Sequence, residues 1–338
     1  MASTIKDVAK MADVSISTVS RVINDSKPVS PEARRRVLHA IEVLDYKPNE
    51  VARSLVTKKS NLIGVIVSDI GNAYVSQVLR GVEEIGRMYN YDILLSSSYA
   101  DPEIELKFAK LFSQKQVEGI IVISEILNSK LMYKLDEFKI PYLVINRFYN
   151  IEEAATVSIN NKDAAYKMTK YLIDQGHKKI GYVALRKDMD RTNETYKIKG
   201  YRQAMGEEDL EPHIIYAEGL EGEAASEIIP EILDDIDTKG ITALFCTQDI
   251  LALSLINEFY DRGIKVPEDI SVCGFGGSKL SGMFRPRLTT VKEPFYDIGA
   301  VAIRKLLKTI ENKEKVVDKE TVLLPVQILK RDSVNPLE

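Results

Sequence analysis

The chain has 338 residues, of which 45% are hydrophobic and 28% charged; this globular composition excludes a disordered or fibrous protein, and the length predicts two or three domains. Two cysteines, Cys246 and Cys273, are too few for a disulfide framework or a four-cysteine zinc site. The sequence shows neither an apolar run of membrane-spanning length nor a hydrophobic export signal near its first residue, so we expect a cytoplasmic protein.

The net charge of −4 is unevenly distributed along the chain. Residues 1–60 contain 11 Lys and Arg against 7 Asp and Glu, whereas the remaining residues contain 35 against 43. A small basic segment before a large acidic one predicts that the first segment binds a polyanion, although a random fluctuation of surface charge would look the same.

Three short helices are predicted within the first 46 residues. Ile5 and Val8 begin an apolar stripe at helical spacing, and a second stripe runs over about 15–24. Ser30 is a good N-cap and Pro31 suits the first position of a third helix.

Segment 5–24 has the spacing of a helix-turn-helix. Ala9 is small where the two helices would cross, and Asp13 falls in the turn, where a left-handed backbone is needed. Because a helix fits the major groove and presents its first residues to the base edges, this pattern favours DNA binding over an unrelated helical hairpin. The predicted DNA-contacting residues of this segment are Ile16, Ser17, Thr18, Arg21 and Asn24.

Residues 48–60 are predicted to form a hinge helix and linker. An isolated helix of this length is unstable in water, so another surface must supply the ordering energy. Two such helices from two protomers could pair through their apolar faces over the minor groove. The predicted DNA contacts of the hinge are Asn49, Ala52, Arg53 and Leu55.

From residue 62 onward, short apolar runs alternate with helical patterns, which predicts βαβ units and parallel sheets. The first series of strands is predicted at 62–68, 91–95, 118–123 and 141–145, with helices at 74–90, 102–114 and 129–138. The second series has strands at 156–159, 179–184, 214–217, 242–246 and 270–274, with helices at 162–175, 193–206, 222–236, 249–262 and about 294–312.

The predicted fold class is therefore α/β, with an all-α head, a hinge and a two-lobed core whose cleft lies beyond the carboxyl ends of the strands. The predicted boundaries are 1–47 for the head, 48–60 for the hinge, 61–160 with 293–325 for the N-terminal lobe, and 161–292 with 326–338 for the C-terminal lobe.

The motifs of the head and core together resemble the lac-repressor (LacI/GalR) family of bacterial transcription regulators. The resemblance implies a DNA-binding head, a hinge helix that orders on the operator, a core similar to periplasmic sugar-binding proteins, and a homodimer. The motifs are VAKMADVSISTVSRVIN (8–24), YKPNEVARSLVTKKSNLIGVIV (46–67), GIIVIS (119–124), GHKKIGYVAL (176–185), KGYRQAM (199–205), ALFCTQDILALS (243–254), GIKVPEDISVCGFGG (263–277) and RPRLTTVKEP (285–294).

By this resemblance, Leu55 would insert between central base pairs of the operator and kink the DNA. The alternative is that Leu55 only packs within the linker helix. Arg34, Arg35 and Arg36 occupy consecutive positions of the third helix, so at most two of them can face DNA and at least one is a solvated side chain.

In the cleft, the resemblance to sugar-binding members of the family implies an Arg, an Asn-Asp pair and a further Asp. This chain has Lys197, Gln248-Asp249 and Gly276 at those positions. Loss of that last carboxylate argues against a neutral sugar effector. For Asp249 the alternative is a helix N-cap. The candidate effector-binding residues are Tyr74, Arg147, Lys197, Gln248 and Asp249.

Segments 88–98, 279–291 and 293–307 are similar to the catabolite-control subgroup of the family, which binds the serine-phosphorylated phosphocarrier protein HPr as corepressor. The head departs from that subgroup at Ile16-Ser17. An ordinary exposed amphipathic helix is the alternative interpretation of the matching surface. The candidate corepressor-binding residues are Tyr89, Tyr296, Asp297, Arg304 and Lys308.

The sequence thus predicts a sequence-specific DNA-binding regulator, a repressor of carbohydrate or carbon-source genes, acting as a homodimer on a pseudo-palindromic operator. We predict no catalytic residues, metal or cofactor, because His39, His177 and His213 lack metal-ligand spacing and GFGG (274–277) is not a nucleotide-binding motif. Without a leucine-heptad tail after Arg331, we expect dimers rather than tetramers. The alternatives are a cytoplasmic solute-binding sensor and an α/β enzyme with a DNA-binding head.

Overall fold

The computed structural model describes residues 3–24, 27–46, 59–124, 128–146, 155–185, 193–218, 222–314 and 316–337. The chain divides into two compact units, Met1–Ser60 and Asn61–Glu338. The first unit is the head and the second is the core.

The head contains α1 (Ile5–Met11), α2 (Ile16–Asn24) and α3 (Pro31–Val43). The backbone N–H of Thr4 donates to the Asp7 carboxylate at 2.9 Å, which fixes the start of α1. The Ser30 hydroxyl accepts from the Ala33 N–H at 3.3 Å, as the predicted N-cap of α3 requires. The helices enclose a small apolar core centred on the fully buried side chains of Val8, Val19 and Val37.

The first lobe of the core is built on a parallel four-stranded sheet of order β2-β1-β3-β4. The helices between these strands cover its faces and produce the βαβ alternation that the sequence predicts. Its elements are β1 (Leu62–Val67), α4 (Ala73–Met88), β2 (Asp92–Ser97), α5 (Pro102–Gln114), β3 (Gly119–Ser124), α6 (Ser129–Phe138) and β4 (Tyr142–Asn146).

The second lobe begins after β5 (Val157–Ile159) and holds a six-stranded sheet of order β12-β10-β9-β8-β6-β7, in which only the β10–β12 pairing is antiparallel. Its elements are α7 (Asn161–Asp174), β6 (Ile180–Leu185), α8 (Asn193–Gly206), β7 (His213–Ala217), α9 (Gly222–Lys239), β8 (Ala243–Cys246), α10 (Asp249–Asp261), β9 (Ser271–Gly276), a 3₁₀ turn at Leu280–Gly282 and β10 (Thr289–Lys292).

The last part of the chain links the two lobes. Helix α11 (Phe295–Glu311) packs on α4 of the first lobe, and β11 (Val322–Leu324) pairs with β5. Strand β12 (Gln327–Leu329) then returns to the second sheet beside β10. The chain therefore passes from one lobe to the other at 159–161, 292–295 and 324–327, and these three segments connect the lobes.

Glycines allow two pairs of helices to approach backbone to backbone. A Cβ atom on Gly299 of α11 would lie 2.0 Å from the Val78 carbonyl oxygen of α4, and one on Gly81 of α4 would lie 2.1 Å from the Tyr296 carbonyl oxygen. In the second lobe, a Cβ on Gly200 of α8 would lie 2.0 Å from the Lys162 carbonyl oxygen of α7. A side chain at any of these positions would therefore force the paired helices apart.

Candidate functional site

Helix α2 of the head presents one polar face to solvent. Ile16 is 45% exposed and Ser17 and Arg21 are exposed, whereas Val19 and Val22 are buried against the other helices. Asp13 has a φ of 51°, so the turn before α2 has the left-handed residue that the spacing predicts. The first turns of α2 are therefore free to enter a groove of DNA, as a recognition helix must.

A cluster of hydroxyl groups lies at the start of α2. The Ser15 hydroxyl is 2.7 Å from that of Ser17 and 2.9 Å from that of Thr18, and it accepts from the Thr18 N–H at 3.2 Å. Thr18 is half-buried, so it supports the cluster more than it extends toward a partner. These contacts orient Ser17 on the exposed face of the helix.

Helix α3 adds exposed basic side chains to the head. Arg34, Arg35 and Arg36 of α3 are all exposed, and the Arg36 guanidinium lies 3.8 Å from the Asp13 carboxylate. Exposed arginines can contact phosphates without reading sequence. The side chain of Asn24 and the predicted hinge residues lie outside the described part of the chain, so their assignments stay predictions; these hinge residues are Asn49, Ala52, Arg53 and Leu55.

Tyr74, the first of the candidate effector residues, lies where the two lobes are connected. Tyr74, in the first turn of α4, is 8% exposed, and its ring packs edge-on against Phe295 with the ring centres 5.0 Å apart. Together with Asn161, Asn193 and Glu293, it lines a cavity of about 10 Å³, which is room for one water molecule at most. Arg147 lies outside the described residues.

Lys197 is buried rather than directed into open space. Its side chain belongs to the second turn of α8 and the residue is 6% exposed. The ammonium donates to the Thr247 carbonyl at 2.8 Å and approaches the Thr247 hydroxyl at 3.3 Å. It also lies 4.0 Å from the centre of the Phe275 ring, a cation–π distance.

Glu194, which the sequence analysis did not single out, completes this cluster. It is 8% exposed and accepts a hydrogen bond from the Tyr182 hydroxyl at 2.8 Å and another from the Thr247 hydroxyl. Burial and the Glu194 carboxylate raise the pKa of Tyr182 well above its ordinary value, so the phenol stays protonated and donates. The signal in the sequence is the spacing of Glu194 and Lys197, three residues apart on one helix face.

The N-cap interpretation of Asp249 is wrong. Gln248, which is half-buried, occupies the N-cap position of α10, and Asp249 is the first residue of the helix. The Asp249 carboxylate instead accepts from the Ser278 N–H at 2.6 Å and from the Thr290 hydroxyl at 2.5 Å, because it is turned toward the segments after β9 and in β10. Burial raises the pKa of Asp249, and these two hydrogen bonds act in the opposite direction.

Gly276 owes its identity to its backbone conformation. Its φ is 128°, a conformation that strains any other residue, and a Cβ there would lie 3.8 Å from an Asp249 carboxylate oxygen. An Asp at this position would be strained by the backbone and would bring a second carboxylate near that of Asp249.

The first lobe displays the candidate corepressor residues on one surface, formed by α4 and α11. Tyr89 is 48% exposed, Tyr296 is 37% exposed, and Asp297, Arg304 and Lys308 are exposed. Sequence reasoning missed two neighbours on α4, Arg80 and Glu84, whose side chains are 2.8 Å apart. The Arg80 guanidinium and the Tyr296 hydroxyl lower the pKa of Glu84, so the surface also carries an ion pair.

Comparison with known proteins shows which family the chain resembles. Residues 4–49 match the family described as bacterial regulatory proteins, lacI family, and residues 169–334 match the periplasmic binding protein-like domain. Catabolite control protein A of Priestia megaterium is 39% identical over 334 residues, which are 98% of this chain and 98% of that protein. The chain belongs to the lacI family of bacterial regulatory proteins.

Two further members of the lacI family also match nearly the whole chain. The HTH-type transcriptional regulator RegA of Clostridium saccharobutylicum is 34% identical over 336 residues, covering 98% of this chain and 99% of that protein. A lac repressor dimer bound to operator and the anti-inducer ONPF has the same fold, with a TM-score of 0.86, 24% identity and coverage of 99% of this chain and 100% of that chain.

Membership of the lacI family confirms the predictions of fold class and of a DNA-binding transcriptional regulator. Within the described residues, there is no helix long and apolar enough to cross a membrane. The same residues contain no group of three or more His, Cys, Asp or Glu side chains that could hold a metal ion.

Proposed function

We propose that this chain is a repressor of carbohydrate or carbon-source genes that binds a pseudo-palindromic operator as a homodimer. The observation that carries the proposal is the exposed face of α2, where Ile16, Ser17 and Arg21 face solvent on a helix-turn-helix of the lacI family. The basic balance of residues 1–60 supplies the attraction to phosphates. A cytoplasmic location follows from this role.

Exposed apolar side chains of the second lobe support the homodimer. Met283 is 71% exposed, Phe284 40% and Leu280 44%, and Tyr260, on the helix α10 that packs against the same 3₁₀ turn, is 81% exposed. Exposed apolar groups gathered in one region mark a protein interface. A second copy of the chain would cover them, and its two-fold symmetry would give an operator of two similar half-sites.

For regulation, the surface of α4 and α11 fits a phosphorylated protein such as serine-phosphorylated HPr. Arg304 and Lys308 lie one turn apart on α11, and an arginine can bind a phosphate through two parallel hydrogen bonds. Tyr89 and Tyr296 add exposed aromatic surface. A small-molecule effector in the cleft is the second candidate, but the described polar groups there, Lys197 and Asp249 above all, already hydrogen-bond within the chain.

The two alternative classes make different predictions. A solute-binding sensor would bind a metabolite and show no preference among DNA sequences. An enzyme would turn over such a metabolite. The similar proteins named above are described as regulators, which favours the repressor.

DNA-site selection with the pure full-length protein, with and without serine-phosphorylated HPr, tests the proposal. We expect a selected site with two-fold symmetry and tighter binding in the presence of the phosphorylated protein. Selection of unrelated sequences would contradict operator binding. Equal affinity with phosphorylated and unphosphorylated HPr would remove the corepressor from the proposal and leave the repressor.

A further inference from the structure

The 3₁₀ turn of the second lobe displays apolar side chains on a buried base. Leu280 lies in this turn and Met283 and Phe284 follow it, and all three are exposed. Ser281, between them, is fully buried, and its hydroxyl donates to the Ser278 carbonyl at 2.6 Å. Because a single 3₁₀ turn has few and poorly aligned hydrogen bonds of its own, its position depends on contacts from other parts of the chain.

Arg331, two residues after β12, supplies such contacts. Its guanidinium donates to the Ser281 hydroxyl at 2.8 Å and to the Leu288 carbonyl at 3.1 Å. The Leu288 N–H in turn donates to the Ser281 carbonyl at 2.8 Å. One side chain therefore joins the two ends of the loop from Ser281 to Leu288, which includes Met283 and Phe284.

The backbone of Arg331 is attached to the second sheet. Its N–H donates to the Thr289 hydroxyl at 3.0 Å. Two residues later, the Ser333 hydroxyl accepts from the Thr289 N–H at 2.8 Å and donates to the Val272 carbonyl at 2.6 Å, and both Ser333 and Thr289 are fully buried. The Arg331 side chain thus starts from a fixed point on β9 and β10 and ends on the loop.

We propose that Arg331 is a positioning residue of the homodimer, which holds the loop from Ser281 to Leu288 in the arrangement that a second copy of the chain meets. It is half-buried and acts through these two residues rather than by contact with the partner. Without this link the loop would sample several arrangements, and only the fraction in the competent one would associate. The inference rests on the homodimer of the proposed function and on its apolar surface in the second lobe.

Subunit exchange of the full-length protein tests the inference. Wild-type samples labelled at the N-terminus with a donor or an acceptor fluorophore are mixed, and energy transfer reports how fast the dimers dissociate and form again. Arg331→Met keeps an unbranched side chain and removes its donors. We expect it to exchange subunits at least about tenfold faster than the wild type, because changes at an interface act mainly on dissociation.

Lys330→Met is the matched control for this variant. It removes the same charge one residue earlier, and the Lys330 ammonium lies 4.8 Å from the centre of the Tyr171 ring of α7 instead of on the loop. We expect it to exchange subunits like the wild type. Arg331→Lys, which keeps the charge and a donor for one of the two acceptors, should exchange at an intermediate rate.

Hydrogen exchange separates positioning of the loop from a general loss of stability. At a concentration at which every variant is dimeric, Arg331→Met should exchange faster than the wild type in the peptide 278–290. The peptides of α9 should be unchanged, because opening of the loop is local. Ser281→Ala removes the hydroxyl that accepts from Arg331, and it serves as the variant if Arg331→Met does not fold.

Two outcomes would overturn the inference: subunit exchange of Arg331→Met at the rate of Lys330→Met, or a lower melting temperature with unchanged subunit exchange, which would assign Arg331 to stability alone. Met283→Glu tests the homodimer separately, because it places a charge on the apolar surface itself. A Met283→Glu protein that stays as dimeric as the wild type would contradict that surface and the inference with it. A dimeric wild type that selects no operator would contradict the proposed function, whereas the effect of Arg331→Met on the dimer would stand.

Discussion

Helices α2 and α8 place a basic residue in opposite ways: Arg21 of α2 faces solvent, whereas Lys197 of α8 is buried. In α2, Arg21 is exposed and the apolar residues Val19 and Val22 alone form the buried face. In α8, Glu194 and Lys197 are themselves part of the buried face. A helix that meets a partner keeps its polar groups outward, whereas a helix that fixes a wall of the core hydrogen-bonds them within the chain.

Substitutions in the two helices should therefore have different effects on DNA binding and on stability. Substituting an exposed residue of α2 removes a contact with the partner and leaves the fold intact. Substituting a buried charged residue of α8 leaves other groups unpaired and reduces stability. The variants below separate these two kinds of loss, from the largest expected effect to the smallest.

Removal of residues 1–60 should abolish both specific and salt-dependent binding to DNA. These residues form a compact unit of their own and carry the positive balance of the chain. The remaining core should stay dimeric and unfold cooperatively, which sedimentation and circular dichroism would check. Specific binding by the truncated core in a gel-shift assay would show that the comparison between α2 and the core is wrong.

Leu55→Ala should keep the fold, the dimer and non-specific binding but lose much of the specific affinity. If Leu55 opens a base step, the alanine no longer offsets an unstacking cost of about a few kcal/mol, and the DNA bend should shrink in parallel. Binding titrations and a bend measured by fluorescence transfer on the selected operator are the readouts. A variant that bends the operator like the parent would mean that Leu55 only packs within the linker.

The sequence predicted the exposed helix better than the buried one, for a physical reason. In α2 the apolar residues alone mark the buried face, so hydrophobic spacing identified both the helix and its exposed residues. In α8 the buried face mixes Lys197 and Glu194 with apolar residues, so the same spacing says nothing about their burial. The boundaries of α8 were predicted correctly at 193–206, but the role of its charged residues depends on Thr247, 50 residues away.

Asp249 shows the same limit. Its place at the start of α10 made a helix cap the simplest local expectation, because local spacing cannot show a hydrogen bond to Thr290 in another strand. The turn at Asp13 and the cap at Ser30 were predicted because both depend on neighbours within a few residues. Sequence reasoning therefore succeeded where the interaction is local or the hydrophobic period decides, and it missed contacts made by the tertiary fold.

Gly200→Ala should destabilise the core through α8 without removing any polar group. The new methyl would lie 2.0 Å from the Lys162 carbonyl oxygen, so α7 and α8 must move apart, at a cost of about 1–3 kcal/mol. Gly206→Ala, on the same helix, is the control, because a Cβ there has open space and should be neutral or stabilising by up to about 1 kcal/mol. Urea unfolding compares the two; equal stability of both variants would exclude the close helix contact.

Substitution of His177 should have the smallest effect on stability, and that effect should depend on pH. Its ring is 1% exposed, with Nε2 3.1 Å from the Asn335 carbonyl and Nδ1 3.0 Å from the Thr242 hydroxyl. Because a carbonyl can only accept, Nε2 carries the proton of the neutral ring, and burial lowers the pKa of His177 below its ordinary value of 6.5. The folded state therefore binds fewer protons than the unfolded state between the two pKa values.

The sign of the effect on stability follows from this difference. The contribution of His177 is fully present above pH 6.5 and is lost as the pH falls toward the lower pKa of the folded state. Urea unfolding of the wild type between pH 5 and 8 should show this decrease, and His177→Gln should flatten it. His39→Gln, which changes an exposed histidine of α3, should keep the pH dependence of the wild type. If His177→Gln and the wild type show the same slope, the neutral histidine does not hold the last segment of the chain to the second lobe.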